Sequence, residues 1–229
     1  SVARFEQAFA AACGVPYAVS TNSGTTAILL ALRAAGVKKG DQVATVGAGF
    51  VGSLEAILQA GAKPIWVEID PETMVMDAES LRRVLERDKD HRIRAVLPVH
   101  LYGFPCDASR ILTLARAHGA VVVWDACQAH GAAIGGVDVG AWPDIVAYSF
   151  YPTKNMTVGG DGGMVTTYRR EWAEMVRQMA DCGRDPADPF VHAVRGTTCR
   201  TRQNGACKRS CCDRTGKRNY STCSSSGSS

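Results

Sequence analysis

Three observations predict an α/β domain with a largely parallel sheet over residues 1–194. Helical and strand patterns alternate, the strands are short and Val-rich, and small polar clusters follow the strand ends. The 229 residues are 46% hydrophobic, enough for one sizeable core, and 23 Gly and 9 Pro without a period exclude collagen-like and fully disordered chains. No apolar run approaches the roughly 20 residues of a membrane helix, and the start lacks a charged-then-apolar leader. A soluble, cytoplasmic protein without membrane contact is expected. Because Ser1 is not an initiator Met, a cut or processed chain is expected too.

Phe5, Phe9 and Ala12 recur at helical spacing before a Cys13-Gly14-Val15-Pro16 stop. Tyr17–Ser20 is a short strand, and Thr25–Ala35 a helix ended by Gly36. Gln42–Val46 and Pro64–Ile69 read as strands on either side of a Ser53–Ala60 helix closed by Gly61. Ala78–Arg87 is an amphipathic helix with Leu81, Val84 and Leu85 inward. Arg94–Val99 is a strand, Ala108–His118 a helix, and Ala120–Trp124 a Val-rich strand of the kind buried on both faces. Ile145–Ser149 and Gly163–Thr167 complete the strands, and Arg169–Ala180 is the last helix. No internal repeat is visible.

Residues 195–229 differ in kind. They contain no Val, Ile, Leu, Met, Phe or Trp, yet hold eight of the 26 basic residues, one of the 22 acids and five of the nine cysteines. Their net charge is +7 and that of residues 1–194 is −3, so the chain's +4 describes a mildly acidic domain with a basic tail. Ordering the tail would cost about 1–2 kcal/mol of backbone entropy per residue, with almost no apolar area to bury in return. Disorder is expected there. Cys207, Cys211 and Cys212 lack the paired spacing of a zinc site and only Tyr220 is available to stack on a base, so neither metal nor nucleic acid is expected. Cys13, Cys106, Cys127 and Cys182 read as reduced thiols.

In open α/β sheets ligands bind beyond the carboxyl ends of the strands. Tyr17–Ser20 leads into Thr21-Asn22-Ser23-Gly24-Thr25-Thr26, where a helix start offers backbone N–H groups to a phosphate. Taken alone, that segment reads first as an ordinary N-cap by Ser23 or Thr25. Ala120–Trp124 leads into Asp125, followed by Gln128 and His130. A carboxylate there is either a helix cap, one half of a loop salt bridge, or the counter-ion of a protonated heterocycle. Ile145–Ser149 leads to Lys154 and then Gly159-Gly160-Asp161-Gly162-Gly163. This is no dinucleotide fingerprint, because no helix and distal acid follow in order, and no Walker loop, because the lysine precedes the glycines. An amine, a carboxylate and phosphate donors on three strand ends together fit pyridoxal 5'-phosphate.

At these residues the chain resembles the DegT/StrS-type sugar aminotransferases, which are fold-type-I PLP-dependent enzymes. The resemblance runs from about Ala3 to Val194. It is carried by Trp124-Asp125-Ala126-Cys127-Gln128-Ala129-His130-Gly131-Ala132, Ser149-Phe150-Tyr151-Pro152-Thr153-Lys154-Asn155 and Gly160-Asp161-Gly162-Gly163, with support from Asn22–Ala27 and Val99–Gly103. It implies Lys154 as the Schiff-base lysine and proton carrier, and Asp125 as the partner of the pyridinium nitrogen. Gln128 is implied at the phenolic oxygen, and Ser149 with the backbone of Gly24 and Thr25 at the phosphate. Phe50 falls where the family stacks an aromatic on the ring, with core packing as the alternative. Dehydratase relatives carry histidine in place of the lysine, so Lys154 implies transamination. The implied reaction moves an amino group from glutamate or glutamine to a keto sugar nucleotide or, in some relatives, a cyclitol ketone. His100, Tyr102 and His130 are candidates for substrate contact, with a structural role as the first reading of each histidine.

The resemblance also implies longer relatives, with a small C-terminal domain and a homodimer. A truncated chain is therefore expected, and an inactive fragment that at most binds the cofactor is the alternative to a working enzyme. Where the family carries Gly-Tyr-Asn, this chain reads Arg195-Gly196-Thr197-Thr198-Cys199, and the genetic code lets codons for that segment read Gly-Tyr-Asn-Leu or Gly-Tyr-Asn-Met in a neighbouring frame. A frameshift just before Gly196 is the expected origin of the tail.

Overall fold

A computed structural model of the chain describes residues 1–184, 194 and 196. Apart from Gly196, the 195–229 segment expected to be disordered lies outside the described residues. Strands β1 (Tyr17–Thr21), β2 (Gln42–Val46), β3 (Lys63–Val67), β4 (Ile93–Leu97) and β5 (Val121–Asp125) alternate with helices. These are α1 (Val2–Cys13), α2 (Gly24–Ala34), α3 (Val51–Gln59), α4 (Ala78–Arg87) and α5 (Ala108–His118). A small hairpin follows, β6 (Ala133–Ile134) with β7 (Val137–Asp138), then β8 (Ile145–Ser149), β9 (Gly163–Thr167) and α6 (Arg170–Ala180). Side-chain caps fix the starts of α2, α4 and α5 at Ser23, Asp77 and Asp107, and left-handed Gly14 and Gly119 close α1 and α5.

Seven strands form one sheet in the order β1-β9-β8-β5-β4-β2-β3. The pairs from β3 to β8 are parallel, whereas β9 runs antiparallel to both β8 and β1. The sheet is mostly parallel, as expected, with one reversed strand. Successive strand residues serve opposite faces. Val122 and Trp124 join the core under α1, α4 and α5, while Val123 joins the core under α2, α3 and α6. Both faces are covered, and that is why these strands read as continuous apolar runs.

The inward stripe of α1 is Glu6, Phe9, Ala10 and Cys13, so Ala12 faces solvent while Phe5 only edges the core. The apolar residues alone misplace this stripe because a carboxylate belongs to it. Glu6 is 8% exposed. It accepts hydrogen bonds from the N–H and hydroxyl of Ser20 at 2.8 Å each and pairs with Arg177 at 2.9 Å. One side chain thus joins α1, β1 and α6. The α4 reading holds, with Leu81 and Leu85 buried and Val84 packed against them.

His100 lies fully inside, stacked on Trp124 (5.5 Å) and met edge-on by Trp142 (5.1 Å). Its Nδ1 accepts from the Cys106 N–H at 3.1 Å. Burial drives its pKa from 6.5 to about 3, so the ring is neutral.

Two outcomes follow for stability. Glu6→Ala strands the Ser20 donors and is expected to lower the unfolding free energy by about 2 kcal/mol in urea titrations. Glu6→Gln, whose amide oxygen still accepts from Ser20, is expected to lose less; equal losses would contradict this account. For His100, the unfolded chain binds a proton between pH 6.5 and about 3 that the native chain refuses. Stability therefore falls as pH falls through that window, by up to about 1.4 kcal/mol per pH unit from this group. His100→Asn is expected to flatten the fall in melting temperature below pH 6.5 and to leave the trend above it unchanged.

Candidate functional site: a cleft at the carboxyl edge of the sheet

The reversed strand builds the site. Because β9 runs against its neighbours, its first residue, Gly163, lies level with Thr21 at the end of β1 and Ser149 at the end of β8. The Phe150–Gly162 connection therefore stays at the edge where β1, β5 and β8 all end. A cleft of about 450 Å³ opens there. Gly24, Thr25, Phe50, Asp125, Gln128, Ser149 and Lys154, all singled out from the sequence, line it.

Asp125, the last residue of β5, is 4% exposed. Its Oδ1 accepts from the Cys127 N–H at 3.0 Å and its Oδ2 from the Ser53 hydroxyl at 2.6 Å. No helix directly follows Asp125, so the helix cap anticipated for this residue is replaced by a bond within its own turn. No cationic side chain among the described residues lies within ion-pair distance, so the loop salt bridge is absent there and the charge is held by neutral donors. Cys127 lines the same wall, and burial first, then the neighbouring Asp125 charge, pushes its thiol pKa well up. It remains a neutral thiol.

Ser23 caps α2 by accepting from the Thr26 N–H at 3.1 Å. That realises the ordinary N-cap reading, and Gly24 and Thr25, the first residues of α2, line the cleft at a helix start whose N–H groups have no intrahelical partners. Gly24 is required by close approach: a Cβ there would stand 2.6 Å from Ser149 Cβ and 3.0 Å from Cys127 Sγ. The start of α2 and the end of β8 are therefore in contact, and Ser149 Oγ, which accepts from the Tyr151 N–H at 3.4 Å, lies beside them. Lys154 follows in a tight turn closed by its own N–H on the Tyr151 carbonyl at 2.8 Å.

Phe50 is 66% exposed on the cleft lip at the start of α3, which removes core packing as its role. Gln128 Oε1 accepts the Tyr102 N–H at 2.9 Å, leaving its Nε2 hydrogens as the donors it can offer the cleft. Tyr102 itself is 83% exposed and held at φ 54, a strained conformation for a tyrosine. His100 belongs to the core, and half-buried His130 packs on the rings of Tyr148 (5.2 Å) and Phe150 (5.5 Å), the structural reading of both. Ser53 was not singled out from the sequence. It follows Phe50 by three residues, and that helical spacing onto one turn is the signal that was available.

The donor set suits pyridoxal 5'-phosphate: an amine, a buried carboxylate without a cation, and a helix start pressed against a serine hydroxyl. The DegT/DnrJ/EryC1/StrS aminotransferase family matches residues 1–207, running past Val194 into the basic segment. A dTDP-3-amino-3,4,6-trideoxy-alpha-D-glucose transaminase of Streptomyces venezuelae is 40% identical over 196 residues, covering 86% of this chain and 50% of the relative. Among solved structures, S. venezuelae DesV in complex with a ketimine intermediate superposes with a TM-score of 0.82 at 39% identity, over 87% of this chain and 52% of that one. NtdA of Bacillus subtilis with its bound cofactor PMP gives a TM-score of 0.79 at 31% identity, over 87% of this chain and 44% of that one. The fold is that of the fold-type-I PLP aminotransferases. This chain spans about half the length of the curated relatives it matches. By the reach of the family match and the agreement of sheet and cleft, the chain belongs to the DegT/DnrJ/EryC1/StrS aminotransferase family.

Proposed function

We propose that residues 1–194 form the cofactor-binding part of a PLP-dependent aminotransferase that moves an amino group from glutamate or glutamine to a keto sugar nucleotide. The observation that carries this reading is the pairing, on one cleft, of the Lys154 amine with a buried carboxylate at Asp125 that has no cation among the described residues. The sugar-nucleotide transaminase among the relatives supports the substrate class, and the PMP-bound neighbour supports the cofactor.

When bound, pyridoxal phosphate would supply an electron sink for the amino-bearing carbon of the substrate. Asp125 would accept a hydrogen bond from the protonated ring nitrogen and hold its positive charge in place. Neutral Cys127 adds no second negative charge beside it. Gln128 Nε2 would donate to the phenolic oxygen, while Ser149 Oγ and the Gly24 and Thr25 N–H groups would hold the phosphate. Phe50, on the cleft lip, would pack against the ring. Lys154 Nζ would hold the coenzyme at its aldehyde carbon and, once the incoming amine of the substrate had displaced it, would hold or give up a proton at Nζ.

Reduction of the cofactor-treated chain with borohydride, followed by peptide mapping, is expected to place one pyridoxyl group on Lys154 and none in Lys154→Ala. Label spread over other lysines, or retained in the variant, would contradict the site. Asp125→Asn is expected to weaken cofactor binding about tenfold or more, as loss of a charged hydrogen bond does. Gly24→Ala, which sets a methyl group against Ser149, is expected to weaken binding by a similar factor while Asp125 stays in place; unchanged affinity would separate the helix start from phosphate binding.

A further inference from the structure

We propose that Ser53 is a positioning residue that fixes the plane of the Asp125 carboxylate; its relevance to the coenzyme rests on the reading above. The Ser53 hydroxyl donates to Oδ2 at 2.6 Å, within the short range of charge-assisted O–H···O bonds. The other oxygen takes the Cys127 N–H at 3.0 Å, a donor from Asp125's own turn. A carboxylate held at one oxygen swings about a broad terminal torsion. A second donor on the opposite oxygen, delivered from a different element, stops that swing.

Both partners are buried in the wall of the cleft, Ser53 8% and Asp125 4% exposed. Ser53 reaches Asp125 from the first turn of α3, where the helix N-terminus favours a nearby negative charge. The same turn begins at Phe50. Gly52 between them permits the arrangement, since a Cβ there would fall 2.5 Å from Thr25 Oγ1 and 2.9 Å from the Phe50 ring. One helical turn therefore carries both the aromatic lip of the cleft and the hydroxyl on its carboxylate. Movement of α3 would disturb the two together.

In the cofactor-free chain, Ser53→Ala is expected to shift the carbon NMR signal of the labelled Asp125 carboxylate at fixed pH, the mark of the lost hydrogen bond, and to leave the other carboxylate signals in place. Affinity for pyridoxal phosphate is expected to fall about tenfold, while Ser53→Thr, which keeps the hydroxyl, restores both readouts. The melting temperature of the cofactor-free variants checks that folding is intact. An unmoved Asp125 carboxylate signal in Ser53→Ala, or a threonine variant as impaired as the alanine one, overturns the inference. Failure of the wild-type chain to bind the cofactor would instead overturn the reading on which its relevance rests, and the carboxylate signal would still decide the Ser53–Asp125 link.

Discussion

A carboxylate with almost no solvent contact and no cation beside it among the described residues is the constraint around which this site is arranged. Removing a charge from water costs on the order of several kcal/mol. Asp125 offsets part of that with two neutral donors, one from its own turn and one from α3. Neither neutralises it. The Cys127 thiol is pushed further toward its neutral form by that charge, and the Lys154 loop lines the same cleft. A protonated heterocycle inserted between the lysine and the aspartate would complete the charge balance that the chain leaves open.

The architecture that permits this is a sheet buried on both faces with one strand reversed. Alternation along β5 sends Val122 and Trp124 to one core and Val123 to the other, so the strand is anchored on both sides when it delivers Asp125 to the edge. The reversal of β9 keeps Phe150–Gly162 at that edge and sets Gly163 between Thr21 and Ser149. Distant segments also meet through single hydrogen bonds. Gln128 steadies a strained backbone at Tyr102, and Glu6 draws α1 onto β1 and α6.

Much of this was legible in the sequence because it rests on local rules. Val-rich runs bounded by glycine mark strands, and Asp77 and Asp107 mark helix starts. Chemistry-bearing side chains sit directly after strands, where α/β sheets bind ligands. Other features depend on long-range partners and were not legible. The stripe of α1 was misplaced at Ala12 because its buried member is a charged glutamate whose partners lie 14 and 171 residues away. Ser53 escaped notice because it sits inside a helix, and its bond to Asp125 spans 72 residues. The direction of β9 had a signal that went unused: the segment before it lacks a helical pattern, whereas a parallel return commonly takes a helix. Phe50 stood open between two roles until its exposure placed it on the lip.

The account is tested most directly by the nitrogen NMR shift of ring-labelled pyridoxal phosphate bound to the chain. A buried Asp125 carboxylate predicts a protonated pyridinium signal that persists above the pH at which the free cofactor loses its ring proton, and that disappears in Asp125→Asn. A neutral pyridine signal in the wild-type chain, or a pyridinium signal indifferent to Asp125, would contradict it.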